Sequence, residues 1–132
     1  MTLVDATVNS KRRILVVEDD PFVALSIMNT LQDLGFAIAG CASNVAAALE
    51  LAARETIDGA LLDVSLGLQQ VDPVADLLAE RNCPFIFTTG YGRSGLPAAY
   101  ADRPVLEKPF RADELAFLMR TEFGLANRGS ER

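Results

Sequence analysis

The 132-residue chain contains no histidine and no tryptophan, and only two cysteines. Without histidine there is no imidazole metal site, no Ser-His-Asp or Cys-His nucleophile pair, and no phosphohistidine formed on the chain itself. Cys41 and Cys83 lie far apart and fit neither a CxxC redox motif nor the framework of a small disulfide-rich domain. Both read as small buried hydrophobes. Uninterrupted apolar runs are short, far below the ~20 residues that span a bilayer. Positive charge is scarce as well, with 12 Lys and Arg against 18 Asp and Glu, which disfavours nucleic-acid binding through phosphate neutralisation. The one basic cluster, Lys11-Arg12-Arg13, directly precedes an apolar run and reads as a solvated strand entrance. The opening MTLVDATVNSKRR places its charges after an interrupted apolar patch, the reverse of a signal peptide. A reducing, cytoplasmic setting without membrane or nucleic-acid partners is the expectation.

What is present is a globular composition, half apolar and 23% charged, in a length that suits one domain. Residues 13–17 carry, after Arg13, a continuous apolar run, the pattern of a strand covered on both faces of a parallel sheet, and residues 58–62 and 84–87 read as strands too. Residues 36–42 and 104–107 read as two further strands. Helices are expected from Pro21 to about Leu34, where Gly35 stops the pattern, over Val45–Arg54 after Ser43-Asn44, over Pro73–Arg81, and over Arg111–Phe123. Val64–Asp72 reads as a loop, and residues 91–103 as weakly helical, interrupted by Gly92, Gly95 and Pro97. Strands alternating with helices imply a doubly wound α/β sheet, whose binding crevice lies beyond the carboxyl ends of the strands.

Those ends carry Glu18-Asp19-Asp20, Asp63, Thr88-Thr89 and Glu107-Lys108. Alone, the acidic triplet before Pro21 fits ordinary helix capping equally well. Converged at one edge, Glu18, Asp19 and Asp63 repel, by about 4 kcal/mol for a pair ~4 Å apart at an effective dielectric near 20. A hard divalent cation relieves this, and an all-oxygen ligand set favours Mg²⁺ over Zn²⁺. Mg²⁺ commonly shares a phosphoryl oxygen, and Lys108 and the Thr89 hydroxyl suit the others. Asp63, at the end of the central strand, is the candidate nucleophile, with an aspartyl phosphate as product.

With ILVVEDD at 14–20, LLD at 61–63, TTG at 88–90 and KPF at 108–110, the chain resembles a two-component response-regulator receiver domain over about residues 12–123. The resemblance implies a (βα)₅ five-stranded parallel sheet of order 2-1-3-4-5. It also implies Mg²⁺-dependent transfer of a phosphoryl group from a kinase phosphohistidine to Asp63. It further assigns the metal to Glu18, Asp19, Asp63 and the Ser65 backbone carbonyl, phosphate contact to Lys108, and the switch hydroxyl to Thr89. Thr88 holds the preceding strand position, Asp20 becomes a helix cap, and Lys108-Pro109 is commonly a cis peptide in the family. Residues 1–11 are then a flexible arm and 124–132 a polar tail, with no effector domain. Output would be a contact with an unidentified downstream protein, or the chain would act as a phosphate sink. It would be a phosphoacceptor, not an enzyme with an external substrate.

Two departures stand out. Receivers usually carry Pro four residues beyond the phosphoacceptor, where this chain has Gly67, and an aromatic three residues before the lysine, where it has Val105. Phe87-Thr88-Thr89-Gly90-Tyr91-Gly92 resembles an atypical stand-alone subgroup named for a Phe-Ala-Thr-Gly motif, which works with HWE/HisKA2-type histidine kinases. Gly67 and the glycines at 90–95 suggest a mobile rim around the site. Tyr91 is positioned either to restrict hydrolytic water or to meet a partner. A dehalogenase-like phosphatase would need a second acid at Ser65, and a flavodoxin-like phosphate loop would not carry three acids. A receiver-fold adaptor that is never phosphorylated is the competing reading.

Overall fold

The structure, a computed structural model, describes residues 11–124 and 126. The arm and tail expected at 1–11 and 124–132 lie almost entirely outside the described residues. Strand β1 (Arg13–Val17) leads to helix α1 (Pro21–Asp33), β2 (Ala37–Ala42), α2 (Val45–Arg54) and β3 (Gly59–Asp63). Two short strands follow, β4 (Ser65–Leu66) and β5 (Gln69–Gln70), then α3 (Asp72–Glu80) and β6 (Phe85–Thr89). Two 3₁₀ turns (Gly92–Gly95 and Ala98–Tyr100), β7 (Val105–Glu107) and α4 (Ala112–Phe123) complete the order.

Five strands form one parallel sheet in the order β2-β1-β3-β6-β7, which is 2-1-3-4-5 when only its own members are counted. The pleat sorts the apolar runs onto two faces. Leu15, Val17, Leu62, Phe85 and Phe87 point to the side packed by Ala48 of α2 and Val74 and Leu78 of α3. Ile14, Val16, Leu61 and Ile86 point to the other, against Ile27 and Leu31 of α1 and Leu115, Met119 and Phe123 of α4. Burial on both faces is why these strands are apolar throughout rather than alternating.

Helix starts follow the local chemistry. Asp20 caps α1, its carboxylate accepting from Phe22 N at 2.9 Å, with Pro21 in the first turn. Asn44 caps α2 by accepting from Ala47 N at 2.8 Å. At the far end of the sheet Arg13 is pinned, donating through Nη2 to Glu55 at 2.8 Å and through Nε to Thr56 O at 2.9 Å.

Two expectations change, at 64–72 and at Cys41, and the weak helicity of 91–103 takes a definite form. Residues 64–72 are not a plain loop: Ser65–Leu66 and Gln69–Gln70 pair antiparallel, and Gly67 turns between them at φ +61°. Proline, fixed near φ −65°, cannot take that conformation, which accounts for its absence at position 67. Residues 91–103 form no α-helix, because Gly92 sits at φ +65° and Pro97 follows closely, so only two 3₁₀ turns form. Four α-helices remain among the described residues. Cys83 is buried, but Cys41 is exposed, since β2 is an edge strand and only alternate residues face the core.

Gly59 of β3 permits α4 to lie close, and a Cβ there would stand 2.5 Å from Phe123 Cε1. Gly59→Ala should therefore lower unfolding free energy by about 1–3 kcal/mol in a urea titration. Pairing it with Phe123→Leu should cost less than the sum of the two changes, whereas simple additivity would contradict this contact.

Candidate functional site

Parallel pairing brings the ends of β1, β3, β6 and β7 to one edge. β3 and β6 pair through Asp63 and Thr88, and β6 and β7 through Thr89 and Glu107. Carboxylate oxygens of Glu18, Asp19 and Asp63 lie within 4.8 Å of one another. Glu18 is 2% and Asp63 5% exposed, whereas Asp19 faces solvent. Lys108 bridges the two buried acids, with Nζ 3.1 Å from Asp63 Oδ2 and 2.8 Å from Glu18 Oε1. The contact to Glu18 is an ion pair without good hydrogen-bond alignment, leaving Oε1 buried and incompletely satisfied. The Lys108-Pro109 peptide is cis, and Lys108 N donates to Thr89 O at 2.8 Å.

Burial raises the Glu18 carboxyl from its usual 4.5 to about 7, with the Asp63 charge adding to the rise. Lys108 and the Asp20 amide pull it back only in part. Lys108 loses some basicity to burial, but its contacts to Glu18 and Asp63 outweigh that and raise it overall. Asp63 is further held by Ser65 N, which donates to Oδ1 at 3.3 Å. Thr89 is buried, and its Oγ1 accepts from Tyr91 N at 3.0 Å. A Cβ at Gly95 would come within 2.9 Å of that hydroxyl, so the glycine keeps space around it.

Three carboxylates against one ammonium leave an excess of negative charge at the edge. This all-oxygen donor set, with an under-satisfied buried Glu18 oxygen, fits a hard divalent cation. The structure thus brings together Glu18, Asp19, Asp63, Ser65, Thr89 and Lys108. Thr88 is buried beside them, with its carbonyl accepting from Val64 N at 3.0 Å. Gly90 and Tyr91 lie on the exposed rim, Tyr91 being 76% exposed. Asp20 serves as the cap of α1.

Two residues escape a reading from sequence. Tyr100 donates to Asp76 Oδ1 and sets its ring edge-on to Phe85 at 5.6 Å, so an aromatic reaches the face where Val105 packs. Gln69, on the hairpin, accepts from Val45 N at 3.1 Å. Neither position carries a motif; the only local signal was Gly67 between apolar Leu66 and Val71.

A doubly wound sheet with paired acids, a strand-end aspartate, a hydroxyl and a lysine at its carboxyl edge is the architecture of a receiver. The response regulator receiver domain model matches residues 14–120, and the chain belongs to that family. Among solved structures, SdrG from Sphingomonas melonis Fr1 is 40% identical with TM-score 0.73, covering 81% of this chain and 92% of SdrG. The receiver domain of the sensor histidine kinase PA1611 from Pseudomonas aeruginosa PAO1 is 25% identical with TM-score 0.73, covering 87% of this chain and 99% of its own. That structure holds a magnesium ion in its active-site cleft. The transcriptional regulatory protein PdtaR of Mycobacterium tuberculosis is 25% identical over 88% of this chain. The phyllosphere-induced regulator PhyR of Methylorubrum extorquens is 31% identical over 74% of it. The chain spans 53% of the length of PdtaR and 38% of PhyR. Among the described residues no helix is long and apolar enough to cross a membrane.

The raised Glu18 value has a sign. Protonated Glu18 is favoured by the fold, so its contribution is fully present below about 4.5 and is lost as pH rises through about 7. In cation-free buffer, Glu18→Gln should remove that loss and stabilise the protein at pH 8 by about 1–3 kcal/mol in urea unfolding. A variant less stable than wild type at pH 8 would contradict the strained-acid account.

Proposed function

We propose that Asp63 accepts a phosphoryl group from a phosphohistidine on a partner protein in a Mg²⁺-dependent reaction. The chain then signals through protein contacts or drains phosphate. The observation that carries this reading is the meeting of Glu18, Asp19 and Asp63 within 4.8 Å, with the Lys108 ammonium 3.1 Å from Asp63. An Asp63 oxygen attacks phosphorus, the P–N bond to the donor imidazole breaks, and the leaving nitrogen keeps the electron pair and takes up a proton. Glu18, Asp19, Asp63 and the Ser65 carbonyl would hold the cation, which when bound would neutralise charge on the transferring phosphoryl. Lys108 turns from carboxylate to phosphoryl oxygens. Thr89 accepts from the Tyr91 amide and keeps one O–H to donate.

The donor needs a surface beside Asp63. A groove of about 490 Å³ lined by Phe22, Val23, Ser26, Lys108, Pro109 and Phe110 adjoins the site, and Phe22 is 82% exposed. An apolar groove at the acceptor's lysine suits a helical phosphodonor such as a histidine kinase or a phosphotransfer protein. The likeness of Phe87-Thr88-Thr89-Gly90 to the Phe-Ala-Thr-Gly motif favours the HWE/HisKA2 type. The segment beyond Thr89, two 3₁₀ turns in place of a helix, is the element proposed to respond.

Incubation with Mg²⁺ and acetyl phosphate or a cognate kinase should add one phosphoryl group to the intact mass of wild type and none to Asp63→Asn. The same treatment should alter hydrogen exchange across residues 90–103 only in the wild type. Full labelling of Asp63→Asn would refute Asp63 as acceptor, and unchanged protection would remove that segment as responder.

A further inference from the structure

The β4–β5 hairpin runs between the acid site and the start of α2, and its base and its tip are held differently. Leu66 and Val71 are buried, and Val71 N donates to Val64 O at 3.3 Å, which fixes the base. The turn at Gly67 and Leu68 is exposed, and each strand has only two residues. A hairpin of that length does not hold its own register in water. The missing restraint comes from Gln69, whose Oε1 accepts from Val45 N at 3.1 Å.

Val45 is the first residue of α2, and its amide is one of the four that a helix leaves without an internal partner. Asn44 serves Ala47 N, so the Val45 amide depends on the hairpin. Across the hairpin, Ser65 N reaches Asp63 Oδ1 at 3.3 Å, and a Cβ at Gly67 would stand 3.9 Å from Asp19 Oδ2. One edge of the element therefore rests on α2 and the other against two of the three acids.

We infer that Gln69 is a positioning residue for the cation site: its hydrogen bond to the Val45 amide holds the hairpin where the Ser65 backbone meets Asp63. The inference rests on the Mg²⁺ reading above and extends it to the start of α2. Coupling of this kind is reciprocal, so occupancy of the site tightens the hairpin on α2 in turn.

Two substitutions remove the same bond from opposite sides. Gln69→Ala deletes the acceptor. Val45→Pro deletes the donor at a helix position where proline is well tolerated, after an Asn44 already extended at φ −151°, ψ 169°. Val45→Ala keeps the amide and controls for the side chain. Mg²⁺ affinity is read from amide chemical shifts, and hydrogen exchange is followed at Ser65 and Val71 without Mg²⁺. Gln69→Ala and Val45→Pro should each weaken Mg²⁺ about three- to tenfold and speed exchange at both amides, with the double variant no worse than either. Val45→Ala should bind Mg²⁺ like wild type. Should Val45→Pro fail to fold, Gln69→Ala alone decides. Wild-type affinity in Gln69→Ala, or additive losses in the double variant, would overturn the inference while leaving the Mg²⁺ reading intact. A wild type that binds no Mg²⁺ would instead overturn both.

Discussion

A single ammonium stands between two buried carboxylates, and the rest of the site is arranged around that shortage of positive charge. Lys108 satisfies Asp63 within hydrogen-bond distance but reaches Glu18 only as a poorly aligned ion pair, while Asp19 remains on the solvent side. Leaving charge buried and underpaired is costly unless something else arrives to neutralise it. Burial pushes Glu18 toward neutrality, and the nearby Asp63 charge adds to the push. The chemistry of these donors fits a hard divalent cation.

The sheet makes this possible without any residue being placed by a loop alone. Glu18 follows β1 directly, Asp63 ends β3, Thr89 ends β6 and Lys108 follows β7, and these strands are locked in parallel register by a core covered on both faces. The rim is built differently. Gly67 and Gly92 turn the chain at positive φ beside Asp19 and Glu107, Gly95 leaves room for Thr89, and only 3₁₀ turns join β6 to β7. The floor is fixed by the sheet and its core, and the rim by local turns.

Much of the floor was legible from residue order. The continuous apolar run at 14–17 announced a strand buried on both sides, and the acids, Thr89 and Lys108 fell at strand ends because a parallel sheet leaves its binding crevice there. Asp20 and Asn44 announced helix starts through their capping chemistry. The rim was legible only through its glycines. Two-residue strands have no periodicity to detect, so 65–70 read as loop. Gln69 matters only because the fold carries Val45 to it. Tyr100 stands beside Phe85 through tertiary packing, with nothing at position 105 to point to it. Cys41 was misplaced because an apolar strand segment was taken as covered, when β2 is an edge strand.

Glu18, Asp19, Asp63 and the Ser65 carbonyl are proposed to form one cation site. Manganese is a paramagnetic stand-in for magnesium and broadens amide resonances close to it, which makes it the most direct probe. Sub-stoichiometric Mn²⁺ should selectively broaden the amides around residues 18–20, 63–67 and 108, with recovery when excess Mg²⁺ is added. Broadening centred elsewhere, or none that Mg²⁺ reverses, would contradict the account.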